Sequence, residues 1–233
     1  RADALSPDAF TFAERHYRRN RDFGSRARLL VRSARRPELP LDTRIQRVRE
    51  AIGLFESRLN DIDRAVSSYR ELIALQPDSD DALRSLTRLL ERTKRWDELV
   101  VMLEHSLVTQ SETPLKIAIL RRLTEIHRRE RKDPEAATAT LALLLDLDPE
   151  DRMARTALTD ELLALGRWNE ATELIDRRIR DAASKAERVP LLRQLGELFE
   201  QRLSDSEAAF HTYERLLEVV PNDAAALDRM EAI

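Results

Sequence analysis

Cysteine is absent from the 233 residues. That excludes disulfides, thiolate metal sites and cysteine nucleophiles. Glycine is scarce, at four residues, and aromatic residues make up 5%. Sheets draw heavily on aromatics, and hairpin turns and phosphate loops on glycine, so composition speaks against all three. Lysine occurs only at Lys94, Lys116, Lys132 and Lys185. No apolar run approaches the roughly 18 residues that cross a bilayer. The best candidate, Leu141 to Leu145, stops at Asp146. No signal peptide is visible. The chain starts at Arg1, which fits an upstream segment having been removed. The cytoplasm is the expected compartment, or the periplasm if a signal was lost in that way.

Site chemistry is equally sparse. His16, His105, His127 and His211 form no H-E-x-x-H pair. No P-loop, G-x-G-x-x-G or G-x-S-x-G segment exists. The carboxylates fall at ion-pairing spacings along helix faces, with no pair set apart for acid–base work. We therefore expect no enzyme, no catalytic residue, no metal and no cofactor.

What is present is helix-forming sequence rich in Ala, Leu, Glu and Arg. It repeats. Pro77, Pro149 and Pro221 lie 72 residues apart, and so do Asp61, Asp133 and Asp205. Ala65, Ala137 and Ala209 keep that spacing, as do Leu72, Leu144 and Leu216, and Ala82, Ala154 and Ala226. Arg95-Trp96 returns as Arg167-Trp168, and Leu54-Phe55-Glu56 as Leu198-Phe199-Glu200. A fixed period of this kind marks a stacked array.

Each block holds two helical hairpins. From Ile62 to Gln76 the apolar residues Ala65, Val66, Tyr69, Leu72, Ile73 and Leu75 fall on one helical face. Asp61 reads as its N-cap. Asp133-Pro134-Glu135 is a stronger start signal, and Thr113-Pro114 reads the same way. Pro77, Pro149 and Pro221 end helices, since proline lacks the N–H. The expected fold is an all-α array of about twelve helices in antiparallel hairpins.

One late unit reads Leu195-Gly196, Phe199, Ala208-Ala209, Tyr213, Leu216, Pro221. This order resembles the tetratricopeptide repeat pattern, with Leu192 at the family's Trp position and a helix-joining turn one residue longer. The alternate unit, Leu86, Leu90, Arg95-Trp96, Leu99, Leu103, is more degenerate. The resemblance implies a right-handed α-solenoid with units at about 8–36, 43–76, 78–110, 114–148, 150–183, 187–220 and an incomplete 222–233. Met230 to Ile233 and Arg1 to Leu5 read as parts of helices, so the chain is expected to be an excerpt of a longer array. Ala65, Leu72, Trp96 and their register mates are expected to be buried. His127, in the slot of Phe55 and Phe199, is expected to be a packing residue.

In that family the first helix of each hairpin lines the concave surface. Carried over by register, the candidate partner-binding residues are Arg49, Arg84, Arg88, Arg92, Arg121, Arg128 and Arg193. Guanidinium groups grip carboxylates bidentately, so an acidic peptide or protein is the expected partner. The expected function is a non-enzymatic protein–protein interaction scaffold or adaptor. The alternatives are a regulatory or sensor segment of a larger protein and an RNA-binding helical repeat. A net charge of -3 speaks against nucleic acid. Residues 1–40 carry ten Arg against five acids, and residues 189–233 four Arg against nine. Self-association through oppositely charged ends is a further expectation.

Overall fold

The computed structural model describes residues 6–77 and 79–233. The expected tail of an earlier helix, Arg1 to Leu5, lies outside the described residues, as does position 78 of the third unit. The described chain is all-α. Its helices are α1 (Pro7–Arg19), α2 (Phe23–Ala34), α3 (Leu41–Leu54), α4 (Ile62–Leu75), α5 (Asp80–Arg92), α6 (Trp96–Thr109) and α7 (Thr113–Glu125). Then come α8 (Pro134–Leu147), α9 (Arg152–Ala164), α10 (Trp168–Asp181), α11 (Lys185–Leu198), α12 (Ser206–Val219) and α13 (Ala224–Ala232). No strand occurs among the described residues. Among the described residues the count is thirteen α-helices rather than about twelve, because the incomplete last unit forms a helix of its own.

Two compact units divide within α6, after Leu99. In the first, α1 packs on α2, α2 on α3, α3 on α4 and α4 on α5. In the second, α7 to α13 pack each on the next.

Helix starts follow the side-chain chemistry. Asp22, Asp61, Asp133, Asp151, Asp205 and Asp223 each accept a hydrogen bond from the backbone N–H three residues on. The free amides of a helix's first turn find acceptors there. The Thr113-Pro114 expectation is corrected. Thr113 is already helical, and Glu112 takes the cap position without a side-chain hydrogen bond.

The longer joining turn has a specific geometry. α3, α7 and α11 each run on into a π-helical turn, at Phe55–Leu59, Ile126–Arg131 and Phe199–Leu203. One extra residue is absorbed there by hydrogen bonds that reach back five residues instead of four. Left-handed residues then break each helix: Asn60 (φ 49°), Lys132 (φ 51°) and Ser204 (φ 54°), 72 residues apart. The alternate hairpins break at Lys94 (φ 55°) and Gly166 (φ 72°) without the π turn. A left-handed conformation costs a non-glycine residue roughly 1–2 kcal/mol, which the surrounding packing offsets.

The repeat positions are buried as their register requires. Ala65, Ala137 and Ala209 are fully buried, and Leu72, Leu144 and Leu216 nearly so. Small residues there let neighbouring helices approach. Gly196 serves the same end: a Cβ at that position would lie 2.6 Å from the Tyr213 ring. The tryptophans differ from expectation. Trp96 and Trp168 are half-buried, at the first position of their helices. Trp168 packs against the core of Ile175, Leu192 and Leu195, and the Arg202 guanidinium sits 5.3 Å from its ring centre. The wide indole reaches the core with one edge and takes a cation over its ring.

Candidate functional site

The candidate arginines lie on the first helices of their hairpins or, for Arg128, on the π turn that continues α7, and each already has company. Arg121 of α7 donates to the Asp151 carboxylate at 2.8 Å. Arg193 of α11, 72 residues on, donates to Asp223. Asp151 and Asp223 are also the N-caps of α9 and α13, accepting from the Ala154 and Ala226 amides at 2.9 and 3.1 Å. One carboxylate thus caps a helix and ties it to the arginine of the preceding hairpin. Burial pushes the Asp151 carboxyl up, but the Ala154 amide and the Arg121 guanidinium outweigh it and hold it below the usual carboxylate range. The Arg193 hydrogen bond does the same for Asp223.

In the first unit the equivalent cap is Ser79, which accepts from Ala82 at 3.4 Å. A hydroxyl carries no charge to hold an arginine. Arg49 turns instead to Gln76 at 3.3 Å and Asp81 at 3.9 Å. Arg92 approaches Glu56 at 3.7 Å, Arg88 donates to the Ser85 hydroxyl at 3.3 Å, and Arg84 is exposed and also engaged. Arg128 donates to Glu161 at 2.5 Å. The arginines therefore join neighbouring hairpins as much as they face outward.

Two grooves lie at equivalent register between successive first helices. In the first unit, Glu56, Tyr69, Ser85, Arg88 and Arg92 line about 400 Å³ between α3 and α5. The Tyr69 hydroxyl donates to Glu56 at 3.2 Å. In the second unit, the groove between α7 and α9 encloses about 370 Å³. Its floor is apolar, made of Leu141, Leu144, Ala154 and Ala157. Leu141 stands where the first unit has Tyr69, and Arg128 where it has Glu56. Met153 stands at the rim, 85% exposed. Thr124 lines the same cavity, 8% exposed, and its hydroxyl has no hydrogen-bond partner. A buried hydroxyl without a partner costs roughly 1–3 kcal/mol.

Of the seven candidates, Arg121 and Arg128 meet in the α7–α9 cavity, and Arg88 and Arg92 in the α3–α5 groove. Arg49, Arg84 and Arg193 line neither cavity. Two elements escaped sequence reasoning. The Tyr69–Glu56 pair recurs as Tyr213–Glu200 at 2.9 Å, and the 144-residue identity of both members was its signal. Arg155 is 2% exposed, bonded to the Asp181 carboxylate and the Pro149 carbonyl. Its signal was a charge where the other blocks have Leu83 and Leu227.

His127 is buried, 3% exposed, and its Nδ1 has no partner. Burial, then the Arg131 charge, pushes its pKa down, so it is a neutral packing group near pH 7. Among the described residues no group of three or more His, Asp or Glu is placed to hold a metal ion. No helix among them is long and apolar enough to cross a membrane.

Residues 50–79 match the tetratricopeptide repeat family model, from within α3 to the N-cap of α5. Cellulose synthase operon protein C of Pseudomonas fluorescens (strain SBW25) is 31% identical over 131 residues. That match covers 54% of this chain and 10% of the relative, so the shared stretch is about a tenth of its length. Among solved structures, YrrB, described as a TPR protein with an unusual peptide-binding site, is 17% identical. The alignment covers 79% of this chain and 91% of YrrB, with a TM-score of 0.43. Naa15/Naa10 bound to HypK-THB is 15% identical, covering 99% of this chain and 37% of that one, with a TM-score of 0.48. TTC0263, a thermophilic TPR protein of Thermus thermophilus, is 17% identical over 78% of this chain and 94% of its own, with a TM-score of 0.33.

Proposed function

Because the chain is a tetratricopeptide repeat protein, we propose that it is a non-enzymatic interaction scaffold whose α7–α9 groove receives a partner peptide. The observation that carries this reading is the α7–α9 cavity itself. It offers an apolar floor and a flexible, exposed methionine at the rim. Methionine adapts its shape to varied apolar partners. An aliphatic or aromatic side chain fits the floor. Arg121 and Arg128 flank the opening with their guanidiniums 60% and 37% exposed above the nearly buried carboxylates of Asp151 and Glu161, so each can add a ligand carboxylate to its existing ion pair. The expected peptide thus pairs an apolar anchor with an acidic neighbour.

A displayed random-peptide library, selected on the purified protein, tests this. Enriched peptides should share an aliphatic or aromatic anchor. Their binding should fall by about tenfold or more in Ala157→Leu, which fills the cavity, and less in Met153→Ser. Enrichment without a shared anchor, or binding untouched by Ala157→Leu in a protein of unchanged helicity, would remove the groove from the reading.

A further inference from the structure

A further groove lies on the other flank of α9, between α9 and α11, and encloses about 410 Å³. Building on the α7–α9 groove as the peptide site, we propose that this neighbouring groove holds an acidic side chain of the same peptide on Arg178. Arg152 and Arg155 of α9, Arg178 and Asp181 of α10, and Glu187 and Gln194 of α11 supply most of its polar lining. Pro190 and Leu191 add apolar surface.

The lining charges are paired, with one exception. Arg155 bonds the Asp181 carboxylate and the Pro149 carbonyl. Arg152 donates to the Asp181 carbonyl and approaches Glu187 at 3.9 Å. Arg178 has no hydrogen bond and no ion pair among the described residues. Other arginines of α10 do: Arg177 donates to Glu150 at 3.3 Å, and Arg180 pairs with Asp176. Arg178 is half-buried, so water answers it incompletely. Burial pushes its pKa down, the Asp160 charge acts the other way from beyond ion-pair distance, and Arg155 adds to the burial. A half-buried guanidinium beside a second one gains from an anion placed on it. Gln194 is also half-buried and without a hydrogen bond, and its amide can both donate to and accept from a peptide backbone.

The repeat does not require these charges. Arg155, Arg178, Asp181 and Glu187 stand where the preceding block has Leu83, Ser106, Thr109 and Leu115. Hairpins of this register form without them, so the cluster is free to serve recognition.

The two grooves flank the same two turns of α9. Met153, Ala154 and Ala157 line one, and Arg152, Arg155 and Thr156 the other. A helix with its side chains is roughly 10–12 Å across. An extended chain advances roughly 3.3 Å per residue, so about three to four residues bridge α9. The acid on Arg178 therefore follows or precedes the apolar anchor by about that spacing. It lies on the opposite side of the anchor from the acidic neighbour that Arg121 and Arg128 face.

The library selection, repeated on Arg178→Gln, tests this. Peptides selected on the native protein should carry Asp or Glu at that spacing from the anchor. Those selected on Arg178→Gln should keep the anchor and lose that acid. A selected peptide is then synthesised with an amidated terminus, so that only side chains carry carboxylates. Replacing its distal acid by the matching amide should weaken binding about tenfold on the native protein and little on Arg178→Gln. Arg178→Lys keeps the charge without the planar fork and should fall between. Arg178 makes no bond that the variant would lose, so helicity and melting temperature should hold. An unchanged Kd for the amide peptide on the native protein overturns the assignment without recourse to any variant. Equal losses on both proteins overturn it too, since Arg178 would then only shape the groove. An anchor-bearing pool without the distal acid removes this assignment and leaves the α7–α9 reading standing. A pool without a shared anchor removes both.

Discussion

The α3–α5 groove of the first unit and the α7–α9 groove of the second occupy the same register, with similar volumes of about 400 and 370 Å³. Their chemistry is opposite. In the first, Tyr69 donates to Glu56, with Arg92 near the same carboxylate, and the lining satisfies itself. In the second, Leu141 and Arg128 replace that pair, and Thr124 is left with a buried, unanswered hydroxyl. The helices beneath are equivalent: Ala65 and Ala137, and Leu72 and Leu144, are buried alike. A repeat fold holds its packing positions fixed and lets the positions above them vary.

The largest effect should be one that leaves the comparison intact. Leu72→Ala and Leu144→Ala each remove a nearly fully buried side chain, and each should cost about 2–5 kcal/mol. Chemical denaturation of both variants measures this. Costs that differ between them by more than that range would break the claim that the two grooves stand on the same core.

Next comes the cap. Asp151→Ala removes a helix cap and the Arg121 ion pair together, so it should cost more than Ser79→Ala, each within about 0.5–2 kcal/mol. The Asp151 carboxyl is held below its unfolded value, so its contribution is complete above about pH 4. It is lost as pH falls through the lowered value, because the unfolded chain then binds the proton more readily. Ser79→Ala should show no such acid-side dependence. Equal pH profiles for the two variants would erase this difference between the units.

The smallest effect is the sharpest. Thr124→Val replaces the unpartnered hydroxyl with a methyl, as Ile52 does at the equivalent place in the first unit. It should stabilise the free protein, by about 1 kcal/mol, and leave peptide binding to the α7–α9 groove unchanged. A higher melting temperature with unchanged affinity would mark Thr124 as a packing residue beneath the groove. Destabilisation would mean that the hydroxyl is satisfied within the fold.

Much of this was legible in the residues. The 72-residue register located the hairpins, and Asp61, Asp133 and Asp205 proved to be caps because a short acidic side chain before an apolar helical stripe has one favourable use. The longer turn was readable as a one-residue excess, but its absorption into a π turn ending at Asn60, Lys132 and Ser204 was not. Trp96 and Trp168 misled, since a large apolar residue at a helix start meets the core with one edge and solvent with the other.

By itself the sequence determined the helical class, the period, the caps and the buried Ala and Leu positions. These follow from local propensity and periodic burial, which each segment carries alone. Only the tertiary structure decided what the arginines do. Whether a guanidinium faces a ligand or a carboxylate depends on residues some thirty positions away, as Arg121 with Asp151 and Arg193 with Asp223 show. The same holds for Arg155, whose burial depends on Asp181 and Pro149 closing around it. Long charged side chains reach across hairpins, and their partners are set by how the hairpins pack.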